Sequence, residues 1–187
     1  DRLLAATLLG ASGLMASCND DETSAPHKVP QAKVLRTAVA SGVYTTTQGL
    51  SIDMFGLSAK LGQQENQKIE VKALTDSTIS LHFPAYDVPL VGDFPYSNAA
   101  QKEYQLDKVV VKFQPDGTMS FASKVKIETV FQMTPAKMKK DDIPYRTFPD
   151  TPISYEGTIK GKELTVKITA QPGKMPFPVT YNYVGQK

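Results

Sequence analysis

The sequence predicts an all-β domain, an eight-stranded antiparallel up-and-down barrel, preceded by a signal peptide and a flexible tether. Two observations predict this fold class. From Ser41 onward, apolar and polar residues alternate with a period of two, which is typical of half-buried strands, and no long helical pattern appears. Short turn sequences join most of these segments, so sequence neighbours are expected to pair antiparallel. About eight strands can form a barrel that is filled by side chains or holds one small ligand. A β-sandwich is the alternative arrangement.

The first half of the domain is expected to contribute four strands. They are predicted over Val43–Phe55, Gln67–Leu74, Ile79–Phe83 and Tyr104–Phe113. Alternation assigns one set of side chains to the core: Ile69, Val71, Ile79, Leu81, Val109 and Val111. Lys68 and Lys72 alternate with them and are expected to be exposed. The run Val109–Val111 suggests that both faces of the fourth strand are partly covered.

Four further strands complete the predicted barrel. They are expected over Thr118–Met133, Ile153–Ile159, Leu164–Ile168 and Phe177–Val184. Leu164, Val166 and Ile168 should be buried, while Lys167 should face solvent. The turn sequence 114–117 precedes the first of these strands, and the turn sequence 160–162 joins the second to the third. Two long connections, Pro84–Gln101 and Thr134–Pro152, carry aromatic residues and are interpreted as loops, functional or disordered.

An apolar, uncharged run precedes the domain at residues 3–17. It is shorter than the ~20 apolar residues of a spanning helix, and Arg2 stands before it, so it is interpreted as a secretory signal peptide. The run ends in small residues directly before Cys18, and this ending resembles the lipobox of bacterial lipoproteins. That resemblance implies cleavage before Cys18 and acylation of its thiol, for example with palmitate. Several acyl chains together would give durable anchoring.

Residues 18–40 are predicted to be the acylated cysteine and a flexible tether, since they offer little to bury. The acidic cluster Asn19–Glu22 resembles the surface-export signal of lipoproteins in the Bacteroides group, with a solvated tether as the alternative. His27 is expected to be solvated. The segment Val34–Ala40 either starts the domain or forms a short helical turn, and the domain proper is placed at residues 41–187.

Composition excludes several functional classes. A net charge of +2 gives no reason to expect nucleic acid as a partner. No G-x-S-x-G, H-E-x-x-H or cysteine pair is present, so the common hydrolase and zinc signatures are missing, and no cofactor or metal is expected. His82 alternates with core residues and is interpreted as a surface or barrel-wall side chain. We therefore expect a protein that is not an enzyme.

Strand and turn patterns in the domain resemble a known family. The hairpin Tyr155–Val166, the ending Phe177–Gly185, the opening Ser41–Tyr44, the strand Gln67–Val71 and the segment Pro89–Asp93 are similar to the calycin-like (lipocalin-like) lipoproteins of the Bacteroides group. The resemblance implies an eight-stranded antiparallel barrel on a lipid tether at the outer membrane. It implies no established reaction and supplies no catalytic residues.

Two functional hypotheses follow. In the first, the barrel is a cup for a small apolar or amphipathic ligand, lined by aromatic residues of the strands: Tyr181, Tyr183, Phe177, Phe113 and Phe121. The alternative role of these side chains is ordinary core packing. In the second hypothesis the barrel is filled, and the protein works through its loops, around Tyr86, Phe94 and Tyr96, as a subunit of a cell-envelope assembly.

Overall fold

The structure is a computed structural model that describes residues 33–54, 57–92, 94–175 and 177–187. Within this part of the chain, Leu35–Lys187 form one unit with its own core. The predicted signal peptide, Cys18, the acidic cluster and His27 all lie outside the described residues. Among the residues described, no helix has the length and apolar character needed to cross a membrane.

The domain is all-β and antiparallel, as predicted. Its strands are β1 (Gly42–Met54), β2 (Leu57–Ala73), β3 (Thr78–Phe83), β4 (Tyr86–Pro89), β5 (Tyr96–Gln101), β6 (Tyr104–Val110), β7 (Lys112–Phe113), β8 (Met119–Pro135), β9 (Arg146–Lys160), β10 (Glu163–Ala170) and β11 (Val179–Gln186). Two short 3₁₀ helices cover Arg36–Ala40 and Lys140–Asp142. The described residues thus form more strands than the eight predicted.

The larger number arises because long strands are interrupted. β3 pairs with β6, and β4 pairs with β5, in one continuous register: Phe83 lies opposite Tyr104, and Tyr86 lies opposite Gln101. The two short pairs are therefore the halves of a single long hairpin, broken at 84–85 and 102–103. β7 continues β6 after Val111. Counted this way, the strands occupy eight positions around the barrel.

Pairing closes the sheet into a ring. β1 pairs with both β2 and β11, and β8, β9, β10 and β11 pair in sequence order. β7 pairs with the start of β8, while β5 pairs with its end. Between β2 and the residues that follow β4, the Val91 amide donates to the Leu61 carbonyl at 2.7 Å and so bridges the remaining gap in the ring. Gly62 permits this approach, since a Cβ there would lie 2.5 Å from the Val88 side chain.

The alternation of apolar residues predicted the core correctly where strands are regular. The nine side chains assigned to the core, Ile69, Val71, Ile79, Leu81, Val109, Val111, Leu164, Val166 and Ile168, are all buried. Lys68, Lys72 and Lys167 are exposed. In the valine run, Val109 and Val111 are buried, whereas Val110 is 57% exposed on the outer face and so only partly covered.

The two segments interpreted as loops contain strands. Residues 84–101 contain the whole of β4 and β5, and β9 begins at Arg146 rather than at Ile153. β2 likewise begins at Leu57, ten residues before its predicted start at Gln67. The fourth predicted strand is divided between β6 and β7. These segments carry prolines or polar runs that obscure the period of two.

One end of the barrel is sealed by the chain that leads into β1. Thr37 and Ala40 are fully buried in the 3₁₀ helix, and the Thr37 hydroxyl donates to the Thr75 carbonyl at 2.5 Å. The Tyr44 hydroxyl donates to the Ala40 carbonyl at 2.8 Å. The Lys187 ammonium donates to the carbonyls of Val39 and Ser41, at the end of this helix. Any cavity in the barrel must therefore open at the other end.

Candidate functional site

A layer of hydrogen-bonded side chains fills the middle of the barrel. Tyr181 of β11 projects inward, and its hydroxyl accepts a 2.8 Å hydrogen bond from the Tyr86 hydroxyl. It donates in turn to Oε1 of Gln101 at 2.9 Å. Because Tyr86 and Gln101 are paired across β4 and β5, the interrupted hairpin supplies both partners. This layer links opposite walls of the barrel.

A second aromatic cluster lies one inward position further along β11. The hydroxyls of Tyr183 and Tyr104 are 3.0 Å apart and hydrogen-bonded. Phe83 stacks on Tyr104 with ring centroids 4.7 Å apart, and it also contacts Tyr183. Burial raises the pKa of Tyr104 and of Tyr183 well above the ordinary value for a phenol. Phe83, Tyr104 and Tyr183 are all buried, so these rings pack the interior at this level.

Two more of the five aromatics predicted to line a ligand cup, Phe113 and Phe121, lie toward the sealed end. Phe121 is buried and packs against Tyr155. Phe113 is half-buried beneath the Arg36 guanidinium, which lies 4.0 Å from its ring centroid. The barrel interior is thus packed by side chains from the sealed end up to the Tyr181 layer.

A cavity of about 640 Å³ opens at the opposite end of the barrel. Ile52, one inward position beyond Leu50 and Tyr181, lies at its floor together with Phe131 of β8. Both floor residues are almost fully buried. We call this cavity the cup. Its volume falls within the range of small-molecule sites, which is roughly 300–1,000 Å³.

Three connections build the wall of the cup. The β4–β5 connection contributes Phe94, Pro95 and Tyr96. The end of β8 and the β8–β9 segment contribute Met133, Pro135, Ile143, Pro144, Arg146 and Phe148. The β10–β11 connection contributes Pro172, Met175 and Phe177. Aromatic rings, prolines and thioethers therefore make up most of the surface.

Hydrogen bonds and close packing hold these connections together. Nε2 of Gln132 donates to the carbonyls of Lys140 and Ile143, at 3.1 and 2.6 Å. The Ala136 amide donates to the Pro95 carbonyl at 2.9 Å and so ties the first two connections. The β10–β11 connection meets the β8–β9 segment at Gly173. The φ of Gly173 is +61°, and a Cβ added there would lie 2.6 Å from the Phe148 ring. Only glycine fits there without a shift.

Comparison with known proteins decides the family. A family model described as the calycin-like beta-barrel domain matches residues 40–186. The chain belongs to this family. A solved structure from Bacteroides fragilis, described as a candidate outer membrane protein, is similar at a TM-score of 0.56 and 17% sequence identity. The match covers 83% of this chain and 54% of the other, so the chain spans about half the length of that protein. No match was found among curated proteins.

The five aromatic residues predicted to line a ligand cup lie at different levels of this calycin-like barrel. Phe177 lines the cup, whereas Tyr181 and Tyr183 lie beneath its floor and Phe113 and Phe121 lie toward the sealed end. A ligand-binding role for these five residues stays a prediction. The second hypothesis named Phe94 and Tyr96 as part of a loop contact surface. Phe148 belongs to the aromatic residues of the connection 134–152, and Arg146 and Met175 were not singled out. The concentration of aromatics and prolines in the connections was the available signal.

The described residues of the calycin-like domain group few chemically reactive side chains. His82 is partly exposed on the outer face, where its Nε2 lies 3.7 Å from a carboxylate oxygen of Glu103. No cluster of three His, Cys, Asp or Glu side chains suited to a metal occurs in this part of the chain. Asp141 and Asp142 are exposed on the second 3₁₀ helix. The described lining of the cup is mostly apolar, and Gln132 and Arg146 are among its polar side chains.

Proposed function

We propose that this domain is a non-catalytic binding module of the cell envelope that holds a small apolar or amphipathic molecule in the cup. The cup carries the proposal: it is open, mostly apolar and about 640 Å³ in volume, while the interior beneath it is packed. Burial of a ligand's apolar surface contributes roughly 25 cal/mol per Å² before the costs of association. Met133 and Met175 adapt their shape readily, which suits ligands of varied outline.

The test uses the purified full chain and N-phenyl-1-naphthylamine, a neutral apolar probe whose fluorescence rises in apolar surroundings. We expect saturable binding by the wild type. Phe148→Asp places a charge in the cup wall and should lower probe affinity at least about tenfold. Val184→Asp places the same charge on the outer face of β11, where Val184 is 58% exposed, and should leave affinity unchanged.

Two further measurements make the result decisive. Thermal unfolding of both variants checks that they remain folded, and Phe94→Asp offers a second site in the wall should Phe148→Asp unfold. Native mass spectrometry of the wild type looks for a ligand that co-purifies. Equal probe binding by the wild type and by folded cup variants contradicts the proposal.

A second candidate function is favoured by the filled interior. Because the barrel beneath the cup is packed, the protein could act as a structural subunit of an envelope assembly, with its rim as the contact surface. Tyr96 is 37% exposed at that rim, whereas Tyr86, also named for such a patch, is buried in the core. Under this alternative, Phe148→Asp and Phe94→Asp would disturb assembly size in membrane extracts while no small ligand is found.

Anchoring at Cys18 forms part of the proposal. The apolar run that ends at Cys18 supports it, and so does the similarity to a candidate outer membrane protein. Cys18→Ala should abolish incorporation of labelled palmitate and release the protein from membranes. Continued labelling of the variant would exclude the anchor.

Display at the cell surface is the finer proposal, and the acidic residues 20–22 support it. Replacing these three residues with alanine should preserve acylation but hide the protein from external protease. Unchanged cleavage would contradict surface display.

A further inference from the structure

The cup has little polar capacity, and most of it is already used. Gln132 is the amide-bearing residue of the lining, and its Nε2 donates to two carbonyls of the β8–β9 connection. The other lining residues in the described part of the chain are aliphatic, aromatic, proline or methionine, with one exception. That exception is Arg146. A bound molecule would therefore meet one cationic group in a mostly apolar surface.

Arg146 is held at the rim by the sheet. It is the first residue of β9 and pairs with Phe131, a floor residue on β8. Its side chain is exposed. The ion pairs His82–Glu103 and Lys140–Asp87 do not involve Arg146.

A guanidinium is always charged at physiological pH, and its planar fork matches a carboxylate with two parallel hydrogen bonds. Asp87, an acid near the rim, is already paired with Lys140 at 2.8 Å and with Asn98 at 2.8 Å. Within the described chain, the Arg146 charge is therefore available to an anion from outside. A ligand that fills the apolar cup and also places an anion at its rim is an amphiphilic anion.

We propose that the cup binds a single-chain amphiphile with a carboxylate head, the chain lying in the cup and the carboxylate on Arg146. This inference rests on the proposed binding function and names the ligand class. A neutral amphiphile would leave the cation without a partner, and a hydrophilic anion would leave the apolar wall uncovered. The two features therefore favour the amphiphilic anion over both simpler classes.

The test compares dodecanoate with dodecan-1-ol, which share a chain and differ in the head. Both are titrated into the full chain at pH 8 below their aggregation limits, by displacement of N-phenyl-1-naphthylamine. We expect the wild type to bind dodecanoate about tenfold more tightly than the alcohol, since a charge-assisted bidentate contact at an exposed site is only partly screened. Arg146→Gln should remove that preference and bring the ratio of the two affinities close to one.

Controls separate this inference from the function on which it rests. Lys167→Gln removes a positive charge from the outer face of β10 and should preserve the preference for dodecanoate. Arg146→Lys keeps the charge but loses the fork, and it should retain part of the preference. If neither compound binds the wild type, the proposed function fails. If both bind but the wild type shows no preference, or Arg146→Gln keeps it, only the carboxylate assignment is overturned.

Discussion

The Tyr181 hydroxyl donates a 2.9 Å hydrogen bond to Oε1 of Gln101 across the inside of the barrel. The two residues are 80 positions apart in the chain. Their contact joins β11 to β5 of the interrupted hairpin, directly beneath the floor of the cup. It therefore marks the boundary between the packed part of the barrel and the part that is open.

Tyr181→Phe tests the stability of this boundary. The change removes the donor to Gln101 and the acceptor for Tyr86, and all three side chains are buried. Nε2 of Gln101 already has no partner among the described residues. We expect the free energy of unfolding to fall by about 1–3 kcal/mol in urea titrations. Tyr145→Phe removes a hydroxyl from an exposed ring and should change it by less than about 0.5 kcal/mol.

Truncation of the two closing-strand tyrosines distinguishes core packing from ligand contact. Replacing Tyr181 and Tyr183 with alanine should destabilise the domain strongly, by about 3–5 kcal/mol for each buried ring, in a thermal melt. If both rings lined an open cavity instead, the double variant would melt near the wild type and lose probe binding.

Alkaline pH should destabilise the domain. Burial raises the pKa of Tyr44 to about 12, and it also raises the pKa values of Tyr86, Tyr104, Tyr181 and Tyr183. In the unfolded chain these phenols titrate near 10. The stabilisation from keeping them neutral is therefore fully present below about pH 10, and it is lost as pH rises from there through the raised folded values.

Urea titrations between pH 8 and pH 11 measure this effect. Each tyrosine that ionises only on unfolding steepens the loss by up to about 1.4 kcal/mol per pH unit. Tyr44→Phe should remove one such contribution and give a shallower decline above about pH 10. Parallel curves for the wild type and this variant would show that Tyr44 is not protected from ionisation in the folded state.

The sequence predicted those parts of the fold whose alternation is uninterrupted. Ile69 and Val71 alternate with Lys68, Glu70 and Lys72 in the second half of β2, and their burial was confirmed. β4 could not be found in the same way because it is four residues long and ends at Pro89. Its status as a strand depends on pairing with β5 and on contact with Gly62, which lies more than twenty positions earlier. Pairing of this kind has no local signature in one sequence.

The cup was harder to predict than the fold for a related reason. Its wall combines side chains from connections that are distant in the sequence, such as Phe94, Phe148 and Met175. Periodicity places Tyr181 and Tyr183 inside the barrel correctly, but it does not state the level at which the interior stops being filled. That level is set by the partners of Tyr181, which come from the hairpin that alternation did not reveal.

Gly62→Ala tests whether the interrupted hairpin supports the cup. The new Cβ would lie 2.5 Å from the Val88 side chain and 2.7 Å from the Pro89 carbonyl oxygen, so β4 must shift away from β2. We expect lower probe affinity together with a loss of stability of about 1–3 kcal/mol. Gly49→Ala is the matched control on β1, where the nearest atom to the new Cβ is 4.0 Å away. Equal behaviour of the two variants would show that the approach of β4 to β2 is not needed.

Gln132→Ala should loosen the cup without unfolding the barrel. The side chain joins the end of β8 to the carbonyls of Lys140 and Ile143, and so it holds the connection that carries part of the cup wall. Without it, we expect faster hydrogen–deuterium exchange in residues 136–145, weaker probe binding and a global stability within about 1.5 kcal/mol of the wild type. Glu128→Ala, an exposed position on the same strand, should alter none of these. Unchanged exchange in the connection would mean that the Ala136–Pro95 hydrogen bond and the Lys140–Asp87 ion pair suffice to hold it.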